Sequence, residues 1–106
     1  MSKYLIRGSY TADGVKGLMQ EGGSKRLAAA TAAIESVGGS IESFYYAFGD
    51  DDVVGICDFP DDASAAAVSL LINSTGAVGL NLTRLLTVAD MDAAAAKTPT
   101  YRPPGG

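Results

Sequence analysis

Ser40–Phe59 reads SIESFYYAFGDDDVVGICDF, and this stretch decides the fold. Two runs rich in β-branched and aromatic residues, 40–48 and 52–59, flank Gly49-Asp50-Asp51, the pattern of a β-hairpin closed by a tight turn. An antiparallel strand with one wet face alternates apolar and polar residues. These runs do not. The first sets Phe44, Tyr46 and Phe48 against Ile41, Tyr45 and Ala47, and the second sets Val53, Cys57 and Phe59 against Val54 and Ile56. The hairpin therefore belongs to a sheet that is covered on both sides.

Upstream, residues 3–10 (KYLIRGSY) form a strand with Tyr4, Ile6 and Tyr10 on one face and Leu5 and Arg7 on the other. A short helical piece over 12–20 is interrupted by Gly22-Gly23. From Ser24, read as an N-cap, KRLAAATAAIESV places Leu27, Ala30, Ile34 and Val37 on one stripe and stops at Gly38-Gly39. Downstream, Pro60-Asp61-Asp62 ends the third strand and caps a helix over ASAAAVSLLINST, which Gly76 closes. A fourth strand covers 78–86, and Thr87-Val88-Ala89-Asp90 opens a last short helix with a capping box in which Asp replaces Glu. That helix is expected to run to about Lys97, ahead of an extended TPTYRPPGG arm.

The order is β-α-β-β-α-β with a trailing helix. It predicts a ferredoxin-like α+β domain over 1–98, a four-stranded antiparallel sheet with two main helices on one face, and an arm over 99–106. Two helices cannot cover both faces of the sheet. The expected cover for the other is a second copy of the chain, giving a face-to-face dimer, the dimeric α+β barrel, or a larger ring.

Composition narrows the chemistry. The 106 residues include no histidine, no tryptophan and one cysteine, with eight Lys+Arg against twelve Asp+Glu for a net charge of −4. No imidazole base, histidine-supported metal site or Cys-His nucleophile pair can form, and Cys57 alone makes neither an internal disulfide nor a thiolate cluster. A sequence pI near 4.5 argues against a nucleic-acid partner, because phosphates require clustered cations. No run approaches the roughly 20 apolar residues of a bilayer span, so no membrane partner is expected. The N-terminal residues lead directly into a strand pattern, and the expectation is a soluble, cytoplasmic protein. Seventeen Ala and thirteen Gly make up much of the apolar count, which implies close packing of backbones.

Several stretches resemble one family: YTADGVKGLMQEGGSKR, GGSIESFYYAFGDDDVVGICDFPDDASA, TGAVGLNLTRLLTVADMD and the YRPPG tail. They look like the GYD-domain proteins, small bacterial proteins of the dimeric α+β-barrel, ferredoxin-like superfamily. The Gly-Tyr-Asp signature falls in the turn before the third strand. Gly49 and Asp52 fit that pattern, whereas Asp51 stands where a tyrosine would be expected. The resemblance implies an oligomeric α+β sandwich and brings no reaction, cofactor or substrate with it.

Three constellations are candidates for function. Asp50, Asp51, Asp52, Asp58, Asp61 and Asp62 crowd into thirteen residues, but Val54 breaks an EF-hand spacing, and a turn and strand cannot wrap an ion. These acids read as a hairpin turn and a helix N-terminus, and no metal is expected. Asp58 differs, because its strand sets it among apolar residues, where it needs a cation such as Lys3, Arg7 or Arg84. Gly23, Ser24, Lys25 and Arg26 open a helix and form a candidate anion site; the plainer reading is solvated bases paired with Glu21 or Glu35. The third constellation is Tyr4, Arg7, Tyr10, Tyr45, Tyr46, Asn81 and Arg84, which together with Asp58 are expected to line a pocket between paired sheets. They serve equally as ordinary core and interface residues.

The functional expectation is a homo-oligomeric module that binds a small ligand or partner between its sheets, without a cofactor. One alternative is a cofactor-independent monooxygenase or isomerase using Asp58, Tyr or Arg as its acid–base group. The other is a purely structural, self-assembling protein.

Overall fold

A computed structural model describes residues 1–106. The chain runs β1 (Ser2–Tyr10), α1 (Ala12–Glu21), α2 (Gly23–Glu35), β2 (Ser40–Tyr46), β3 (Val53–Phe59), α3 (Asp62–Ser74), β4 (Val78–Arg84) and α4 (Val88–Ala95). The sheet order is β2-β3-β1-β4 with every neighbouring pair antiparallel, so the fold is the ferredoxin-like α+β arrangement.

Local chemistry sets the helix boundaries. Thr11 caps α1 by accepting the Gly14 N–H, and Asp61 caps α3 by accepting the Ser64 N–H at 2.7 Å. Thr87 and Asp90 form the full capping box of α4. Ser24 is not the N-cap of α2. Gly22, at φ 81°, redirects the chain so that the helix starts at Gly23 with no side-chain cap, leaving Ser24 inside the first turn.

Helices α2 and α3 cover one face of the sheet. Between them and it lie Tyr4 and Ile6 from β1, Val53, Cys57 and Phe59 from β3, Ile34 from α2, and Ala65 and Val68 from α3. Phe59 and Cys57 are fully buried, and Tyr4 meets Phe59 edge-on at 5.4 Å. Each large side chain so buried contributes about 1.5–3 kcal/mol.

Strand β2 departs from simple alternation. A bulge between Ile41 and Ser43 inserts one residue, so Ile41 lies opposite Cys57, on the helix side with Phe44 and Tyr46. Counting in twos along the sequence puts Ile41 with Tyr45, because one extra residue reverses every face assignment before it. The strand also ends at Tyr46 and β4 ends at Arg84, each two residues earlier than the residue types suggest. The hairpin connection is a six-residue loop, 47–52, closed by the Ala47 N–H on the Asp52 carbonyl at 2.9 Å, with Phe48 wholly exposed. Helix α4 stops at Ala95, short of Lys97.

The outward face of the sheet carries Leu5, Val54 and Ile56, half-buried by their own neighbours, and Tyr45 at 66% exposure. No helix packs on it. Helix α4 buries no residue, and from Leu86 to Gly106 every residue is exposed. The chain is correspondingly spread out. Its radius of gyration is 17.1 Å, where a compact chain of this length has about 13 Å. Its accessible surface is 7117 Å², about 1,600 Å² above that of a typical monomer of its mass.

Candidate functional site

The sheet register divides the candidate residues between two faces. On the outward face Tyr45, Val54, Arg7 and Asn81 form one cross-strand row, and Ser43, Ile56, Leu5 and Thr83 form the next. Arg7, Tyr45 and Asn81 are exposed, and their side chains bond to nothing else in the chain. Asp58 shares this face and is held by its cross-strand partner Lys3, whose Nζ lies 3.2 and 3.3 Å from the two carboxylate oxygens. The same ammonium donates to Glu42 at 2.8 Å, and the bonds to Glu42 and then Asp58 raise its pKa. Of the three cations available to Asp58, Lys3 is the one that engages it.

Tyr10, Tyr46 and Arg84 do not join this row. They lie on the helix side with Tyr4, since Arg84 sits opposite Tyr4 and Tyr46 opposite Val53 in the register. Alternation along β1 already separates Tyr10 from Arg7, so one pocket between sheets cannot hold the whole set.

On the helix side these residues fall at opposite ends, about 20 Å of strand apart. At one end the Tyr4 hydroxyl donates to the Asp62 carboxylate, which also takes Arg84 Nη1 at 3.4 Å, while Arg84 Nη2 donates to Ser2 Oγ at 3.1 Å. The hydrogen bond to Asp62, followed by burial, holds the Tyr4 phenol above its ordinary pKa.

At the other end the anion-site candidates meet the tyrosines. The Tyr46 hydroxyl donates to the Gly23 carbonyl at 3.0 Å, and its ring lies so close to Gly23 that a Cβ there would stand 3.0 Å from it. Arg26 projects from the first turn of α2 toward the sheet and donates to Glu21 at 3.3 Å. The Tyr10 hydroxyl neighbours both Arg26 and Tyr46 without a well-formed hydrogen bond to either. Burial, then the charge and hydroxyl of Tyr10, raise the Tyr46 pKa. Burial pulls the Arg26 pKa down, but Glu21 and Tyr10 outweigh it and the guanidinium stays firmly charged. Ser24 and Lys25 are exposed and take no part.

Arg26 and Tyr10 also line an apolar cavity of about 120 Å³ between the sheet and helices α2 and α3. This convergence is the feature that the residue pattern did not bring out. A signal for it exists: Arg26 lies four residues before Ala30 and eight before Ile34, on the stripe that faces the sheet.

The acid-rich segment disperses. Asp52 accepts the Tyr10 backbone N–H at 2.8 Å, Asp58 holds Lys3, Asp61 caps α3, and Asp62 takes Tyr4 and Arg84. No three of the chain's acids and cysteine stand together as a metal site. Cys57 is buried, and burial followed by the neighbouring Asp58 charge pushes its thiol up to about 11.

No helix is long and apolar enough to cross a membrane. No curated protein and no solved structure matches the chain. The GYD-domain family model does match, over residues 4–95, from the first core residue of β1 through the end of α4. A match that spans the whole sheet and its helices settles the relationship: the chain belongs to the GYD-domain family.

Proposed function

We propose that this protein is a homo-oligomeric binding module in which two copies pair their outward sheet faces and enclose a small molecule. The observation that carries this reading is the outward face itself. Leu5, Val54, Ile56 and Tyr45 form a continuous apolar patch with no helix over it. The segment 86–106, with Leu86, Val88, Met91 and Tyr101 all exposed, offers a second surface for the same association.

Within the paired sheets, Arg7, Tyr45 and Asn81 are the polar groups free to orient a ligand, at one end of the apolar patch. Binding is favoured over catalysis because the two carboxylates beside Lys3 on this face, Asp58 and Glu42, are both committed to its ammonium. A soluble, cytoplasmic, bacterial setting belongs to the same proposal. The single reduced cysteine fits a reducing compartment, and the family resemblance supplies the bacterial origin.

Light scattering on a size-exclusion column at micromolar concentration tests the pairing. The expected result is at least twice the chain mass, falling to one chain in Ile56→Lys with the far-ultraviolet circular dichroism unchanged. A 10.8 kDa wild-type particle overturns it. Native mass spectrometry of protein purified from its own cells then reports any small molecule retained by the oligomer, which Arg7→Ala is expected to lose.

A further inference from the structure

We infer that the cavity between the sheet and helices α2 and α3 is a binding site for a one-ring aromatic carboxylate, with the ring among apolar side chains and the carboxylate on Arg26. The site lies on the opposite face of the sheet from the surface proposed for pairing, and the inference stands whether or not the chains pair.

The cavity has a plain origin. Helix α2 turns Ala29, Ala30 and Ala33 toward a sheet whose floor there includes Gly8, and these small groups leave the space between the layers unfilled. The opposing walls are large and apolar, among them Phe44, Ile72 and Leu80. Its volume of about 120 Å³ sets the size of the guest. An apolar protein cavity of roughly 150 Å³ stays dry and takes up benzene, so one ring is the matching scale.

Charge sets the other half of the ligand. Arg26 is the single ionisable group of fixed charge in the lining, and no acid faces the space. Its side chain is 34% exposed, which places the guanidinium at the mouth. It has five N–H donors and spends one on Glu21, at a long 3.3 Å. Glu21 thereby shows that a carboxylate can reach this guanidinium, and a guest carboxylate can take the planar two-point geometry that Glu21 does not. The Tyr10 hydroxyl at the same rim adds a neutral donor.

The test is a ¹H–¹⁵N titration of the full chain with phenylacetate, and with benzyl alcohol as its uncharged counterpart. Saturable shifts are expected at the amides of Ala29–Ala33 and of Leu80 and Leu82. Benzyl alcohol should bind at least about tenfold more weakly, and Arg26→Gln should weaken phenylacetate by a similar factor while leaving benzyl alcohol unaffected. Ala33→Leu fills the space and should abolish both; Ala30→Val, which adds less volume, should weaken both if the larger change disturbs the fold. No saturation below about 10 mM, shifts confined to the outward sheet face, or equal binding of the two probes would each overturn the assignment.

Discussion

The Asp52 carboxylate accepts the backbone N–H of Tyr10 at 2.8 Å, tying the 47–52 loop to the end of β1. The Asp52 N–H in turn donates to the Gly8 carbonyl at 2.8 Å, and its carbonyl closes the loop on Ala47. Asp52 thus fixes the strand end from which Tyr10 reaches the cavity mouth. Hydrogen bonds to charged groups contribute about 1.5–3 kcal/mol, so Asp52→Ala is expected to lower stability in urea by that amount, with Asp52→Asn losing less. Asp51 makes no side-chain bond, and its replacement by Ala should be nearly neutral. An Asp52→Ala chain as stable as wild type would show that the contact is dispensable.

Helix α1 docks on the start of β4 through Gly14. A Cβ at that position would stand 2.0 Å from the Ala77 carbonyl oxygen, a backbone atom that cannot swing away, while Thr11 donates its N–H to the same oxygen at 3.0 Å. Gly14→Ala is therefore expected to cost about 3 kcal/mol or more. Gly17, in the same helix, is the control, since a methyl group there would meet nothing within 4 Å. Gly17→Ala should stabilise by roughly 0.5–1 kcal/mol, because alanine restores helix propensity at no steric cost. Thermal melts of the two variants check both signs.

Cys57 has no exposed surface, and its thiol is held up to about 11 by burial and then by Asp58. A thiol reagent at pH 8 should leave it unmodified in the native protein and react at once when the chain is unfolded in urea. The pH dependence follows from the same shift. Its folded pKa exceeds the ordinary value of 9.0, so the neutral thiol's contribution is full below pH 9 and is lost as pH rises toward 11. Cys57→Ala should flatten the fall in stability over that window, and an unchanged profile would assign the fall to other groups.

Ending the chain after Leu86 removes no buried residue. Its intrinsic stability, measured at a concentration low enough to be monomeric, should stay within about 0.5 kcal/mol of wild type. The proposed self-association should weaken, as read by sedimentation. A large loss of monomer stability would mean that α4 or the arm packs on its own domain.

Much of this architecture is legible from local signals. The strand and helix order, the Asp61 cap, the Thr87–Asp90 box and the two-sided apolar hairpin each rest on residues within a turn or two of one another, whose preferences act before any tertiary contact forms. The Gly22 N-cap of α2 is not, because a positive-φ glycine and a serine two residues later are both good helix boundaries, and only the path from α1 decides between them.

What the sequence alone determined, then, was the ferredoxin-like order, the excess of apolar strand surface, and the absence of imidazole chemistry. Tertiary structure decided which residues share a site. The bulge at Ile41 and Ser43 moved one face assignment, the register set Tyr46 on the face of Tyr10 and not of Arg7, and the packing of α2 on the sheet brought Arg26 to the two tyrosines. Periodicity tells which residues of one element share a face, but the grouping of faces from distant elements depends on register and layer packing, which are set by the whole core at once.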